Sequence, residues 1–259
     1  MLGAMQDFDL RVTHIIDHAA REHGLREIVT RWADGSETRT NWAGIRHDAL
    51  RMTQALRKLG VQPGDRIATL AMNHSRHLVT WYGAVGVGGV LHTINPRLFD
   101  DQLEYIVTHA EDRVLLYDAM FQPIVDRMRD KWPCVETYIC FDSGEHAPSF
   151  EDWIGAYDGQ TEWQPVEERD PCMLCYTSGT TGNPKGAMLS HLNLQLMSWS
   201  YLCDFDQLGS RDAMLHLAPQ SHASGLLALP HIAKASHQIL PPSGGFDPGE
   251  LATLIDQNE

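Results

Sequence analysis

The sequence predicts a layered α/β fold built on parallel sheets, and three observations carry that prediction. Four short apolar runs, Ile67–Met72, Val90–Ile94, Val114–Tyr117 and Val135–Phe141, are separated by helical stretches of ten to fifteen residues. Apolar strands that alternate with helices read as βαβ units, because parallel neighbours need a crossover long enough to return the chain to the same edge. Gly83, Gly86, Gly88 and Gly89 fall late in one of those helices, where the missing side chains permit close helix-to-strand packing. The same alternation resumes near residue 213 and then stops, so a second sheet is expected to begin there and to be truncated.

The elements follow in order. Residues 5–23 read as a leading helix with Val12, Ile15, Ile16 and Ala19 inward. Residues 27–32 and 36–40 flank Asp34-Gly35, a hairpin signal for a type I′ turn. Thr40 is placed to cap the next helix, whose Trp42, Ile45, Ala49, Met52, Leu56 and Leu59 form one apolar stripe. Gly60 ends it and Pro63 keeps it ended. Helices are expected from Ser75 to Val87, from Asp100, and around Pro123. Residues 143–170 are polar and acidic, with a short helix near Phe150. A helix over 191–203, a strand over 213–217, a helix bent or broken at Pro230, a strand over 236–240 and a last helix capped by Asp247 complete the chain.

The functional signal lies between two apolar strands. The run Tyr176-Thr177-Ser178-Gly179-Thr180-Thr181-Gly182-Asn183-Pro184-Lys185-Gly186 holds three glycines, four Ser or Thr hydroxyls and one lysine. Glycines let backbone N–H groups approach a phosphate and turn towards it. The hydroxyls add neutral donors, and Lys185 supplies a mobile positive charge for a phosphate oxygen. The run is not a P-loop, since Pro184 precedes the lysine and Gly186 follows it, with no Ser or Thr next.

This run, continued to Ser190-His191, resembles the phosphate-binding signature of the adenylate-forming superfamily. Its members are acyl-CoA synthetases, aryl-CoA ligases, adenylation domains of peptide synthetases, and luciferases. The resemblance extends through Val61–Asp65, Asn73 and His92–Arg97, and so covers most of the chain. Leu91–Phe99 looks most like the branch that activates medium- or long-chain fatty acids and related short thioether acids. The resemblance implies the N-terminal domain of such an enzyme. It also implies ATP-dependent activation of a carboxylic acid to an acyl-adenylate and then to acyl-CoA, with ATP and CoA as substrates and Mg2+ as metal. It assigns Thr177, Ser178, Gly179, Thr180, Thr181, Gly182 and Lys185 to the ATP phosphates, with Thr177 contributing to the metal site. Lys185 and His222 are the implied catalytic residues. The family has a histidine at the mouth of its acyl pocket, and His222 stands there, although Ser221 replaces the aromatic residue that normally precedes it.

The resemblance also implies what is missing. The Tyr-Gly-x-Thr-Glu segment, the later Gly-Asp and the small C-terminal domain with its lysine do not occur, so the chain looks like the first half of a synthetase about twice its length. It divides into a leading helix and hairpin over 1–45, a first α/β subdomain over 46–203 ending in the phosphate loop, and an incomplete second one over 204–259. Alone it is expected to be inactive. The alternative reading is a non-catalytic phosphate- or nucleotide-binding fragment.

Composition bounds the rest. The 259 residues carry a net charge of −14 and 43% hydrophobic residues. That argues for a soluble protein and against nucleic acid bound through a general basic surface. No apolar run is long enough for a transmembrane helix. Five cysteines without framework spacing suit the cytoplasm. Cys172 and Cys175 form a CxxC, but residues three apart on a strand point to opposite faces, which disfavours a shared metal or disulfide. Small-molecule partners are expected, namely an acid, ATP and CoA, and the sequence leaves room for a homodimer.

Overall fold

The structure, a computed structural model, describes residues 8–142, 149–177, 183–209, 211–241 and 247–257. The chain opens with α1 (Thr13–His23), the hairpin β1 (Glu27–Arg31) and β2 (Glu37–Asn41), and α2 (Trp42–Lys58). The alternating units follow as β3 (Arg66–Leu70), α3 (Ser75–Gly86), β4 (Val90–Thr93), α4 (Asp100–Ala110), β5 (Asp112–Tyr117), α5 (Gln122–Met128) and β6 (Thr137–Cys140). After α6 (Phe150–Gly155) come β7 (Pro171–Thr177), β8 (Lys185–Ser190) and α7 (His191–Ser200). The last elements are β9 (Ala213–Leu215), α8 (Ala223–Ala233), β10 (His237–Leu240) and α9 (Pro248–Gln257).

Two sheets result. One has the order β6-β5-β3-β4-β7-β8, parallel except for β8, which pairs antiparallel with β7. The other has the order β2-β1-β10-β9, in which β1, β10 and β9 are parallel and β2 returns antiparallel. Side chains alternate across the first sheet, as period-two strands require. On β3, Ile67 enters one core while Ala68 and Leu70 enter another. The first core gathers α1, α2, α3 and α8 between the sheets, with Ile28 and Leu240 from one and Ile67, Leu91 and Val114 from the other. The second lies on the far face under α4 and α5.

The layered α/β class with parallel sheets is thus observed, and several local expectations change. Strand β1 pairs with β10, Val29 opposite Ile239. The hairpin therefore supplies two strands to the sheet whose further members were expected beyond residue 259. Asn41, not Thr40, caps α2: its side chain accepts from the Gly44 N–H at 2.8 Å. Both are ladder residues, Thr40 opposite Ile28 and Asn41 opposite Glu27, but α2 begins at Trp42, which leaves Asn41 as the preceding residue. At the hairpin only Gly35 has positive φ (83°), and its N–H donates to the Trp32 carbonyl at 2.9 Å. That is a three-residue loop closed by a left-handed glycine, since a type I′ turn would need positive φ at Asp34 as well. Helix α8 runs through Pro230 without a break, and α7 passes into a π turn, the Asp206 N–H donating to the Tyr201 carbonyl at 3.1 Å.

Two of the four glycines admit side chains rather than strands. A Cβ at Gly83 would lie 2.7 Å from Met52 Cγ of α2, and one at Gly86 2.5 Å from the Trp163 ring. Gly89 does serve β3, where a Cβ would meet Ile67 Cδ1 at 2.4 Å. No helix among the described residues is long and apolar enough to cross a membrane.

Candidate active site

The site forms where parallel strands end. After β3 the chain turns into α3 on the inter-sheet face, and after β4 it turns towards α4 on the other. Divergent exits of this kind open a crevice at the carboxyl ends of the strands, the usual ligand position in open α/β sheets. Strand β7 extends the sheet beside β4, with Cys175 opposite Thr93.

The phosphate-loop residues are carried by a hairpin at that edge. Thr177, the last residue of β7, is the register partner of Lys185, the first of β8. Both side chains are exposed, and no ion pair among the described residues engages Lys185. The ladder thus delivers a hydroxyl and an ammonium side by side at the base of the intervening loop. The other loop assignments, Ser178, Gly179, Thr180, Thr181 and Gly182, lie outside the described residues.

The base of the hairpin is fixed from below. Tyr176 sits opposite Gly186, where an added Cβ would come within 3.2 Å of the tyrosine ring. The phenol shares a hydrogen bond with His109 Nδ1 at 2.6 Å, and His109 stacks on Tyr105 with 5.1 Å between ring centroids. Burial, reinforced by Asp112 and Tyr105, pushes the Tyr176 hydroxyl up to about 12, so it stays neutral. Against the other side of Tyr176 lies the His92 ring, 5.1 Å away, hydrogen-bonded through Nδ1 to Asp112 at 2.7 Å with both residues fully buried. Burial raises the Asp112 carboxyl, and the neighbouring His92 opposes that shift. The two thiols of the CxxC diverge as expected: Cys172 belongs to the inter-sheet core and meets the Leu189 carbonyl at 3.5 Å, whereas Cys175 lies against Thr93.

His222 arrives from the other sheet. The segment between β9 and α8 crosses over the ends of β3 and β4, and His222 occupies the residue before the first turn of α8. Its ring is half-buried, with Nδ1 enclosed and without a partner among the described residues. The preceding carbonyl, that of Ser221, accepts from Thr93 Oγ1 at 2.6 Å. Thr93 is the register neighbour of Cys175, two residues before Thr177. Thr177, Lys185 and His222 therefore gather at one edge. Residues that sequence reasoning passed over also line it. His74 Nε2 meets Asp118 at 2.9 Å, and the Met72 N–H donates to the same carboxylate at 2.7 Å. Burial alone would raise Asp118, but His74 and the Met72 amide outweigh it and the carboxyl falls below its usual range. These polar residues carry no periodic or motif signal; only the fold brings them together.

Comparison with known proteins shows the family. The family model for AMP-binding enzymes matches residues 16–259. The chain belongs to the AMP-binding enzyme family. This AMP-binding chain is 42% identical over 99% of its length to the 3-methylmercaptopropionyl-CoA ligase of Ruegeria lacuscaerulensis, covering 49% of that protein. It is 37% identical over 98% of its length to the medium-chain-fatty-acid–CoA ligase of Ectopseudomonas oleovorans, covering 48% of it. It thus spans about half the length of the curated relatives it matches. In fold it is similar to a long-chain-fatty-acid–CoA ligase from Archaeoglobus fulgidus, with a TM-score of 0.84 at 20% identity, over 99% of this chain and 52% of that one. The N-terminal domain of a Mycobacterium tuberculosis protein, FACL13, gives 0.83 at 24% identity, over 96% of this chain and 61% of that domain.

Proposed function

We propose that the protein containing this chain is an AMP-forming acid–CoA ligase that activates a medium- or long-chain fatty acid or a related short thioether acid. The observation that carries the reading is the β7–β8 hairpin, with Thr177 and Lys185 in register at the strand ends and the His222 segment beside them. Two acyl-CoA ligases among the relatives, one acting on a short thioether acid by its name and one on medium-chain fatty acids, support the substrate class.

In such a reaction the acid's carboxylate attacks the α-phosphorus of ATP, and pyrophosphate leaves with the P–O electron pair. The thiol of CoA then attacks the acyl carbon and displaces AMP. The barrier is largely electrostatic, because two anions must approach and a polyanion must depart. Lys185, exposed and without a carboxylate partner among the described residues, would neutralise a β- or γ-phosphate oxygen. His222 would bound the entering acid, as the resemblance implies.

The donor set fits Mg2+ only as a shared ligand. Thr177 offers one neutral oxygen, and the described residues hold no cluster of three His, Cys, Asp or Glu side chains suited to a metal. Mg2+ characteristically takes few protein ligands and fills its shell with phosphate oxygens and water, so Thr177 would contribute one ligand to an ATP-borne ion. Mg2+ would offset phosphate charge there.

Pyrophosphate release by the purified gene product, over a panel of aliphatic, thioether, aromatic and amino acids, tests the reading. Turnover confined to aliphatic and thioether acids is expected. A preference for aromatic or amino acids would refute the substrate class. Absence of release with every acid would instead favour a non-catalytic phosphate-binding fragment.

A further inference from the structure

The segment from His216 to His222 has no regular structure, yet each part of it is tied to a neighbour. Asn73 Oδ1 accepts from the Gln220 N–H at 2.6 Å, while Asn73 Nδ2 donates to the carbonyls of His216 at 3.1 Å and Ala218 at 2.9 Å. The exchange is reciprocal, since the His74 N–H donates to Gln220 Oε1 at 3.0 Å. One residue further on, buried Thr93 donates its hydroxyl hydrogen to the Ser221 carbonyl. On the opposite side the buried His216 ring accepts from Ser224 at 2.7 Å and donates to Gln238 Oε1 at 2.8 Å.

We propose that Asn73 and Thr93, with Gln220 as their counterpart, are positioning residues that set the location of His222 relative to the Thr177–Lys185 hairpin. This rests on the proposed role of His222 in the site. Asn73 follows β3 and Thr93 ends β4, so both belong to the sheet that carries the hairpin. The segment they grip belongs to β9 and α8, beside the other sheet. These hydrogen bonds are therefore a direct polar link, at the crevice, between the two halves of the site. The chemistry at position 73 is demanding: one short side chain must present an acceptor and two donors at once, which a carboxamide does. Aspartate has no donor and would set a carboxylate against two carbonyl oxygens. Glutamine carries the same groups one methylene too far. At position 93 only the hydroxyl matters to the grip, and serine retains it.

The consequence is kinetic. Misplacing a reacting or positioning group by about 1 Å can cost about 100-fold in rate, and a loop released from its clamp moves at least that far. The test compares Thr93→Val, which keeps shape and loses the hydroxyl, with Thr93→Ser, which keeps the hydroxyl, and adds Asn73→Asp. In each gene product the His222 ring 1H–13C resonance is recorded beside near-UV circular dichroism and steady-state kinetics varying acid and ATP separately. Thr93→Val and Asn73→Asp should shift or broaden the His222 resonance and lower kcat by about tenfold or more, with KM for ATP within about twofold of the parent. Thr93→Ser should restore both. An unmoved His222 resonance in Thr93→Val, or a Thr93→Ser protein indistinguishable from Thr93→Val, would overturn the proposal. Should Asn73→Asp fail to fold, the Thr93 pair decides. Should the parent release no pyrophosphate with any acid, the function reading falls, while the His222 resonance still tests the clamp.

Discussion

Three buried histidines should make this protein acid-labile well above the carboxylate range. His77, His191 and His216 are each buried to 2% exposure or less and are held down to about 4. Burial is the leading cause in each, aided by His74 near His77 and by Arg11 near His191. At His191 the hydrogen bonding also requires the neutral ring. His191 Nδ1 accepts from the Val12 N–H at 3.2 Å, and His216 accepts from Ser224 while donating to Gln238. In the unfolded chain each would titrate near 6.5. Between pH 6.5 and about 4 the unfolded state therefore binds more protons than the folded state, and stability falls as pH falls. Each ring contributes about 1.4 kcal/mol per pH unit, so the three together contribute about 4. From pH 6.5, where the unfolded rings are only half protonated, to pH 5.0 the loss is about 5 kcal/mol, comparable to the whole stability of many domains. His14, His231 and His237 are also lowered by partial burial and act in the same direction. Asp112 opposes the trend, because burial raises its carboxyl and the folded state gains a proton first. Urea titrations at pH 7.5, 6.5, 5.5 and 5.0, repeated on His216→Gln, measure the slope and the share of one ring. The substitution should cut the slope by about 1.4 kcal/mol per pH unit whatever it does to absolute stability. A free energy of unfolding that stays flat from pH 6.5 to 5.0, or an unaltered slope in His216→Gln, would refute the reasoning.

Two further outcomes are expected. Lys185→Ala should weaken use of ATP about 10- to 100-fold while leaving the acid KM within about threefold, because it removes a charge-assisted phosphate contact of about 1.5–3 kcal/mol; steady-state kinetics on the active gene product would show it, and equal effects on both substrates would count against the assignment. Gly86→Ala should destabilise by about 1–3 kcal/mol, since its Cβ would sit 2.5 Å from the Trp163 ring and 2.6 Å from Thr53 Oγ1; a melting temperature equal to the parent's in differential scanning calorimetry would contradict that packing.

The parts legible in the sequence are those encoded locally. The strands β3 to β5 and the strand–loop–strand at 173–189 follow from apolar runs between breakers, and the α2 stripe from its spacing. What escaped is set by distance or by competition between neighbours. Nothing near Glu27 announces a partner near His237, because parallel pairing leaves no turn signal. Thr40 and Asn41 are both good capping residues and both belong to the β2 ladder; the start of α2 at Trp42 decides between them by making Asn41 the preceding residue. At the site, Thr177, Lys185 and His222 were assigned through resemblance, whereas Thr93, although inside the resembling stretch His92–Arg97, and Gln220 were given no role. A threonine ending a strand and a glutamine in a loop are ordinary until the fold sets them against each other.

The pairing of β1 with β10 also orders events in time. A chain made from its N-terminus exposes the β1–β2 hairpin almost at once, but the strand it needs is encoded about 200 residues later. At 5–20 residues per second that wait lasts roughly 10–40 s. During it, the edge of β1 that will receive β10 has no native partner, while β3 to β7 can close among themselves. The charged residues that begin and end β1, Glu27 and Arg31, each paired across the hairpin with Arg39 and Glu37 of β2, would discourage other chains from docking on that edge in the meantime.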